Sequence, residues 1–315
     1  NQLPFAVADD RDCHYLCVYG AFKPQAVPYY TIMASRGCLF SCSYCSPHLT
    51  RKRYGGGYAY RVRSPANIIE ELRIAKKDKH PARVYFNDAM FPFEESWIRE
   101  FCGLYKQEIS LPFQIRTNSS LLKKETIGLL ADAGMDYFIA GIESGSERVR
   151  KDVFCRHETN AAIIATQNIF RSYGHISVFY DLIVDNPFET EKDMEEGLQF
   201  LLELPGRFSF GLFSLAFYPK ADITERAIRE GRISDYHRDI ASKYFALQID
   251  LRQKRTKQQK LWIFLVLCVE LYHTHSIPPK KFIYRISKNE FLKRHPEPFF
   301  ILAYHWHYGH FGLNF

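Results

Sequence analysis

The sequence predicts an α/β fold built on a parallel sheet, and three observations carry that expectation. Between residues 29 and 220, short runs of β-branched and aromatic residues alternate with helix-length amphipathic stretches. The intervals suit repeated βα units, in which a helix returns the chain to the start of the next parallel strand. Beyond about Lys220 the alternation stops and helical patterns follow alone. Periodicity does not choose between a sheet curled into an incomplete barrel and one laid open and doubly wound.

Strands are expected near residues 29–34, 82–87, 113–117, 137–142, 177–184 and 208–217. The first intervening helix, 65–77, opens with Ser64 as N-cap and Pro65 at its first position, where a missing N–H costs nothing. Helices over 94–109, 123–133, 160–173 and 190–204 follow, with Gly134 and Gly174 placed as C-caps. After them come helical patterns at 222–230 and 241–273, then a tail rich in Pro, His and aromatic residues. Three segments result: a linker-like 1–28, a βα region 29–220 and a mainly helical C-terminal extension 221–315.

Composition bounds the class. Hydrophobic residues make up 46% and charged ones 24%, as in a globular chain with a sizeable core. The 42 basic residues exceed the 35 acidic ones by 7, and residues 252–260 carry five Lys or Arg with no acid, a pattern expected of a solvated face. So modest an excess measures electrostatic opportunity and argues against nucleic acid as a partner. Aromatic residues, at 16%, are expected mainly in the core. No secretory signal opens the chain, and its longest apolar stretch, 261–269, falls short of the ~20 residues of a membrane span. A soluble, cytoplasmic protein is expected. The first residue is Asn1, so part of a longer gene product is expected upstream.

Chemistry concentrates in RGCLFSCSYCS, where Cys38, Cys42 and Cys45 are spaced C-x3-C-x2-C just after the first strand. Three thiolates in one loop favour soft metals, iron-sulfur or zinc, over hard cations. With three cysteines a 4Fe-4S cubane keeps one iron without a protein ligand, open to a substrate or cofactor. The rival is a structural zinc site completed from elsewhere, with His48 nearby. Cys13, Cys17, Cys102, Cys155 and Cys268 form no second cluster motif and read as free thiols. His305, His307 and His310 alternate with aromatics as a half-buried strand would, a pattern that favours packing over metal binding.

With these residues in view, the chain resembles the radical S-adenosylmethionine (radical SAM) superfamily. The cysteine motif with Tyr44 before its third cysteine carries the resemblance, together with GIESGSERV from Gly141, DNPFET from Asp185 and FYPKADITERAIREGRI from Phe217. The resemblance implies a partial (β/α)6 TIM-like barrel over 29–220, with its site at the C-terminal strand ends. It also implies a 4Fe-4S cluster on Cys38, Cys42 and Cys45 that reductively cleaves SAM, an electron donor such as flavodoxin or ferredoxin, and an unknown substrate to be methylated or rearranged. A non-catalytic iron-sulfur or SAM-binding module is the alternative. The segment LPFAVADDRD resembles a linker from a cobalamin-binding domain, yet no Asp-x-His-x-x-Gly motif occurs, so cobalamin use is left open and its binding domain is not in this chain.

Matched one position at a time, the resemblance implies SAM contacts from Tyr44 by the adenine, Asn87 and Asp88 by the methionyl amine, and Arg116 and Asn118 at the third strand end. Glu143, with Ser144 beside it, implies a ribose or amine contact, since a carboxylate ending an apolar strand is expensive to bury unpartnered. Arg156 implies a carboxylate partner. Asp181 and Asp185 flank the fifth strand without a decided role.

Overall fold

The computed structural model describes residues 29–55, 60–233 and 254–311. The linker-like segment with Cys13 and Cys17, and the part of the expected 241–273 helix before residue 254, lie outside them. In chain order the elements are β1 (Tyr29–Ile32), β2 (Ser35–Arg36), α1 (Ser46–Tyr54), β3 (Arg61–Val62), α2 (Pro65–Lys79), β4 (Arg83–Phe86), α3 (Glu95–Glu108), β5 (Phe113–Arg116), α4 (Lys124–Asp132) and β6 (Met135–Glu143). A π-helical turn, Val149–Val153, leads to α5 (Asn160–Phe170), β7 (Ser177–Val184), α6 (Glu191–Glu203), β8 (Ser209–Ser214) and α7 (Asp222–Arg229). The extension forms α8 (Lys257–His275), α9 (Lys280–Ser287), α10 (Glu290–Arg294) and α11 (Glu297–Phe311).

Six parallel strands lie in the order β1-β4-β5-β6-β7-β8, while β2 and β3 pair antiparallel as a separate two-stranded ladder. The strand order never reverses. A doubly wound sheet requires a reversal, so the strands form an unclosed, singly wound arc, the partial barrel. Val84, Phe86, Phe113, Ile115, Phe138, Ala140, Ile142, Val178, Tyr180, Leu182 and Val184 face the helices in one core. Alternation then sends Arg116, Gly141, Glu143 and Asp181 to the concave face.

All six expected strands form. Ser64 caps α2 by accepting from the Asn67 N–H, and Gly134 follows α4 at φ 108°. Gly174 does not cap α5, because Arg171 ends that helix and the Tyr173 N–H already returns to the Phe170 carbonyl. The tail histidines also depart from expectation: residues 305 and 307 lie on a helix, α11, and not on a strand. The apolar stretch 261–269 lies inside α8, buried on nearly all sides against α6 and β8. Among the described residues, no helix is long and apolar enough to cross a membrane.

Helix α8 supplies what the sheet edge lacks. Glu270, fully buried, accepts the Phe210 N–H of edge strand β8 at 2.8 Å and faces His307 of α11 at 2.8 Å. Its Trp262 packs on α6 at Gly197, which itself lies against Gly145 in the turn after β6.

Candidate functional site

The three-cysteine loop follows the β2 strand and is stapled from both sides. Arg51 of α1 donates to the carbonyls of Cys38 (2.6 Å) and Phe40 (3.3 Å) and to Ser41 Oγ (2.8 Å). Ser43 donates through its N–H to the Phe154 carbonyl (3.0 Å) and through Oγ to the Val153 carbonyl (2.6 Å), and its own carbonyl accepts from the Ile223 N–H (3.1 Å). Cys42 is buried, whereas Cys38 and Cys45 are half-buried. Burial pushes the Cys42 thiol up, and burial followed by the neighbouring Cys42 pushes Cys45 up to about 12. Thiolates held here require compensating positive charge.

That requirement tests the fit of an iron-sulfur cluster. Iron supplies the charge, and Arg156 Nη1 stands 3.9 Å from Cys42 Sγ as a further donor. A cubane spreads its thiolates over different irons, so its cysteines need not converge on a single ion. Among the described residues no three His, Cys, Asp or Glu side chains converge on one ion. His48 turns its Nε2 to Asp222 at 3.0 Å. The donor set fits the cluster.

Beside the cysteines lies a buried charged group assembled from distant segments. Glu143 ends β6 just past a shift in strand register, at φ 67°, a left-handed conformation that a non-glycine residue adopts only under constraint. Its carboxylate folds back over Gly141, where an added Cβ would stand 2.0 Å from Oε1. Arg156 Nη1 lies 3.8 Å from Glu143, and its Nη2 donates to the Gly141 carbonyl (2.7 Å) and to Glu158 (3.2 Å). Tyr44 packs edge-on against Phe154 with ring centroids 5.1 Å apart. Burial pushes the Glu143 carboxyl up, and Arg156 opposes the shift. Arg156 Nε remains buried without a partner.

The other sequence candidates divide. Asp88 is committed to the backbone: its oxygens accept from the Ala34 N–H (3.3 Å), the Ser35 N–H (2.5 Å) and Ser35 Oγ (2.6 Å), and burial still pushes it up to about 6. Asn118 caps a short turn by accepting from Ser120 N (2.9 Å) and Oγ (2.6 Å). Ser144 Oγ donates to Glu189 (3.1 Å) and accepts from the Ser146 N–H (3.2 Å). Asn87 is exposed at its strand end. Arg116 reaches from β5 to within 4.0 Å of Asp181 on β7 and keeps its Nε buried and unpartnered.

Arg150 and Arg255 escaped sequence reasoning, and Asp181 was named there without a decided role. Asp181 has one buried, unpartnered oxygen, and burial pushes it up to about 7 against the pull of Arg116. Arg150, wholly buried, binds the carbonyls of Ser144 (2.5 Å) and Glu158 (3.0 Å) and so fixes the turn that presents Arg156. Arg255 corrects the reading of residues 252–260 as a solvated face: it is 1% exposed and grips Asp185 at 2.8 to 3.0 Å. Apolar surroundings and a strand-end carboxylate 70 residues away turn it inward.

A family model described as the Radical SAM superfamily matches residues 32–201, more than half of the sequence, and the chain belongs to that superfamily. The family implies a 4Fe-4S cluster and SAM. Among curated proteins, an uncharacterised methyltransferase of Pyrococcus horikoshii is 24% identical over 66% of this chain and 44% of its own length. The hopanoid C-3 methylase of Methylococcus capsulatus is 29% identical over 56% and 33%. The chain thus spans less than half of either relative. Among solved structures, the radical SAM methyltransferase TsrM of Kitasatospora setae, with cobalamin and a [4Fe-4S] cluster bound, superposes with a TM-score of 0.52 at 17% identity, over 65% of this chain and 40% of that one. The cobalamin-dependent SAM radical enzyme OxsB, in its apo form, gives 0.55 at 15% identity over 88% and 47%. At these identities the likeness shows the fold.

Proposed function

We propose that this chain is the radical SAM domain of a methyltransferase-type enzyme, with Cys38, Cys42 and Cys45 as cluster ligands. The observation that carries the reading is the joining of the stapled three-cysteine loop to the Glu143–Arg156 group through the 3.9 Å contact between Arg156 and Cys42. When bound, the cluster and SAM supply one electron and a 5′-deoxyadenosyl radical for hydrogen abstraction from substrate.

The chain's own residues bind and orient. Arg156 offers a planar guanidinium to the methionyl carboxylate, and Glu143 accepts from the amine or a ribose hydroxyl. Tyr44 lies by the adenine, with Asn87, Arg116 and Asp181 completing the polar surround at the strand ends. Asp88, Asn118 and Ser144 act one step back, holding the backbone turns that present these groups. The aromatic-rich core and the closing helices exclude water.

The methyltransferase names of the two curated relatives support the reaction class, and the substrate is a separate question. The test is anaerobic reconstitution with iron and sulfide, reduction, addition of SAM, and measurement of 5′-deoxyadenosine and S-adenosylhomocysteine, with Cys42→Ala as control. Both products in the wild type and neither in the variant support methyl transfer. Dependence of the second product on added cobalamin would assign that cofactor; an intact cluster with no product at all would make the chain a binding module.

A further inference from the structure

The outer layer of the C-terminal extension carries a surface that the cysteine site does not use. Helices α9 and α10 pack on α8 and on each other, with Ile283 and Leu292 turned into the core. On α9, Lys281, Arg285 and Lys288 are exposed at spacing i, i+4, i+7 along the side away from Ile283, and Phe282 and Tyr284 flank them. Ile277 leads into α9, and α10 carries Phe291 with Arg294 three residues on. Ile277 and Phe291 are 63% and 64% exposed and Phe282 51%, although side chains of this kind are normally covered. Residues 277–294 also hold six Lys or Arg and a single acid, Glu290, which Lys293 answers at 3.3 Å. Lys281, Arg285, Lys288 and Arg294 are exposed and make no ion pair among the described residues.

We propose that this face binds the surface of a bilayer containing anionic lipid, as a peripheral contact in which no segment crosses the membrane. Ile277, Phe282 and Phe291 enter the boundary between headgroups and acyl chains, where exposed apolar side chains leave water, and the amphipathic ring of Tyr284 suits the same depth. Lys281, Arg285, Lys288 and Arg294 meet the lipid phosphates. Charge complementarity selects this occupant. A second copy of the chain would set the same cations against one another. A polyanion such as nucleic acid would use the cations and leave Ile277, Phe282 and Phe291 in water. The contact needs neither the cluster nor SAM, so it stands independently of the function proposed above.

The test is flotation of the full chain with phosphatidylcholine vesicles, with and without phosphatidylglycerol, at low and high salt. Two variants separate the two halves of the contact: Phe282→Ser/Phe291→Ser removes apolar side chains, and Lys281→Glu/Arg285→Glu reverses charge. All four positions are exposed, and far-ultraviolet circular dichroism checks that each variant keeps its fold. Wild type is expected to bind the phosphatidylglycerol vesicles roughly tenfold or more tightly than phosphatidylcholine alone, with a preference that shrinks as salt rises. Either variant is expected to bind roughly tenfold or more weakly than wild type. Equal binding to both vesicles, absence of binding, or undiminished binding by the Phe282→Ser/Phe291→Ser variant would overturn the lipid surface. A lipid-free dimer that the same variant dissolves would give the face to a second copy of the chain and overturn it equally.

Discussion

Arg255 ties the C-terminal extension to the mouth of the half-barrel, and its removal has a calculable cost. Its guanidinium makes three contacts of 2.8 to 3.0 Å with Asp185, whose side chain is 9% exposed and also accepts from Ser214 Oγ at 2.7 Å. Arg255→Ala strands a buried carboxylate, which typically costs ~3–5 kcal/mol. The surviving Ser214 bond offsets about 1 kcal/mol of this. Loss of the Phe300 ring, 5.7 Å from the guanidinium, adds about 0.5–1 kcal/mol. The net expectation is ~2.5–5 kcal/mol of destabilisation, measured by urea unfolding followed through far-ultraviolet circular dichroism. Asp185 sits at φ 62°, which Asn tolerates, so Arg255→Met with Asp185→Asn should recover most of the loss. A single variant within about 1 kcal/mol of wild type would refute the buried-charge argument. So would a double variant no more stable than the single one.

Three further outcomes follow from the geometry. Burial pushes Glu189 up to about 8, above its unfolded value, so folding favours its protonated form and stability drains away as pH rises from about 4.5 through 8; Glu189→Gln should match wild type below pH 4.5 and exceed it above pH 8, and equal stability at both ends would contradict the assignment. Gly145→Ala drives a Cβ to 2.5 Å from the Gly197 Cα, backbone against backbone, and should cost ~1–3 kcal/mol in the same unfolding assay, with no loss disproving close packing there. Arg156→Lys keeps the charge but not the fork, and should weaken SAM binding about tenfold by calorimetry while leaving iron content unchanged; undiminished affinity would remove Arg156 from the cofactor surround.

The strands were legible because their signals are local: alternating apolar residues, a Ser-Pro start, a glycine after α4. Helix α1 escaped because none of its residues is buried, which leaves no apolar stripe to read. The tail misled for the opposite reason, since its apolar and aromatic residues surround α11 and alternate by accident. In the site, the cysteine spacing and Glu143 could be read from single segments. Arg255 with Asp185, Glu270 with Phe210, and Glu158 with the Ser119 hydroxyl are matched through the fold, two of them across 60 or 70 residues. A sequence read segment by segment offers no signal for such partners beyond the cost of burying each charge alone.

The carboxylate of Glu270 bears on where this molecule can be cut. A strand at the rim of a sheet offers its free amides to any passing chain, and β8 has one of them silenced by a helix 60 residues downstream. A fragment ending at Ile233 would keep Cys38, Cys42, Cys45, Glu143 and Arg156, yet lay bare the Phe210 amide and the apolar surface that α8 covers. Such a fragment is expected to self-associate before its chemistry can be assayed. The smallest workable unit therefore reaches past the last recognisable motif to α8 and the His307 helix that packs on it.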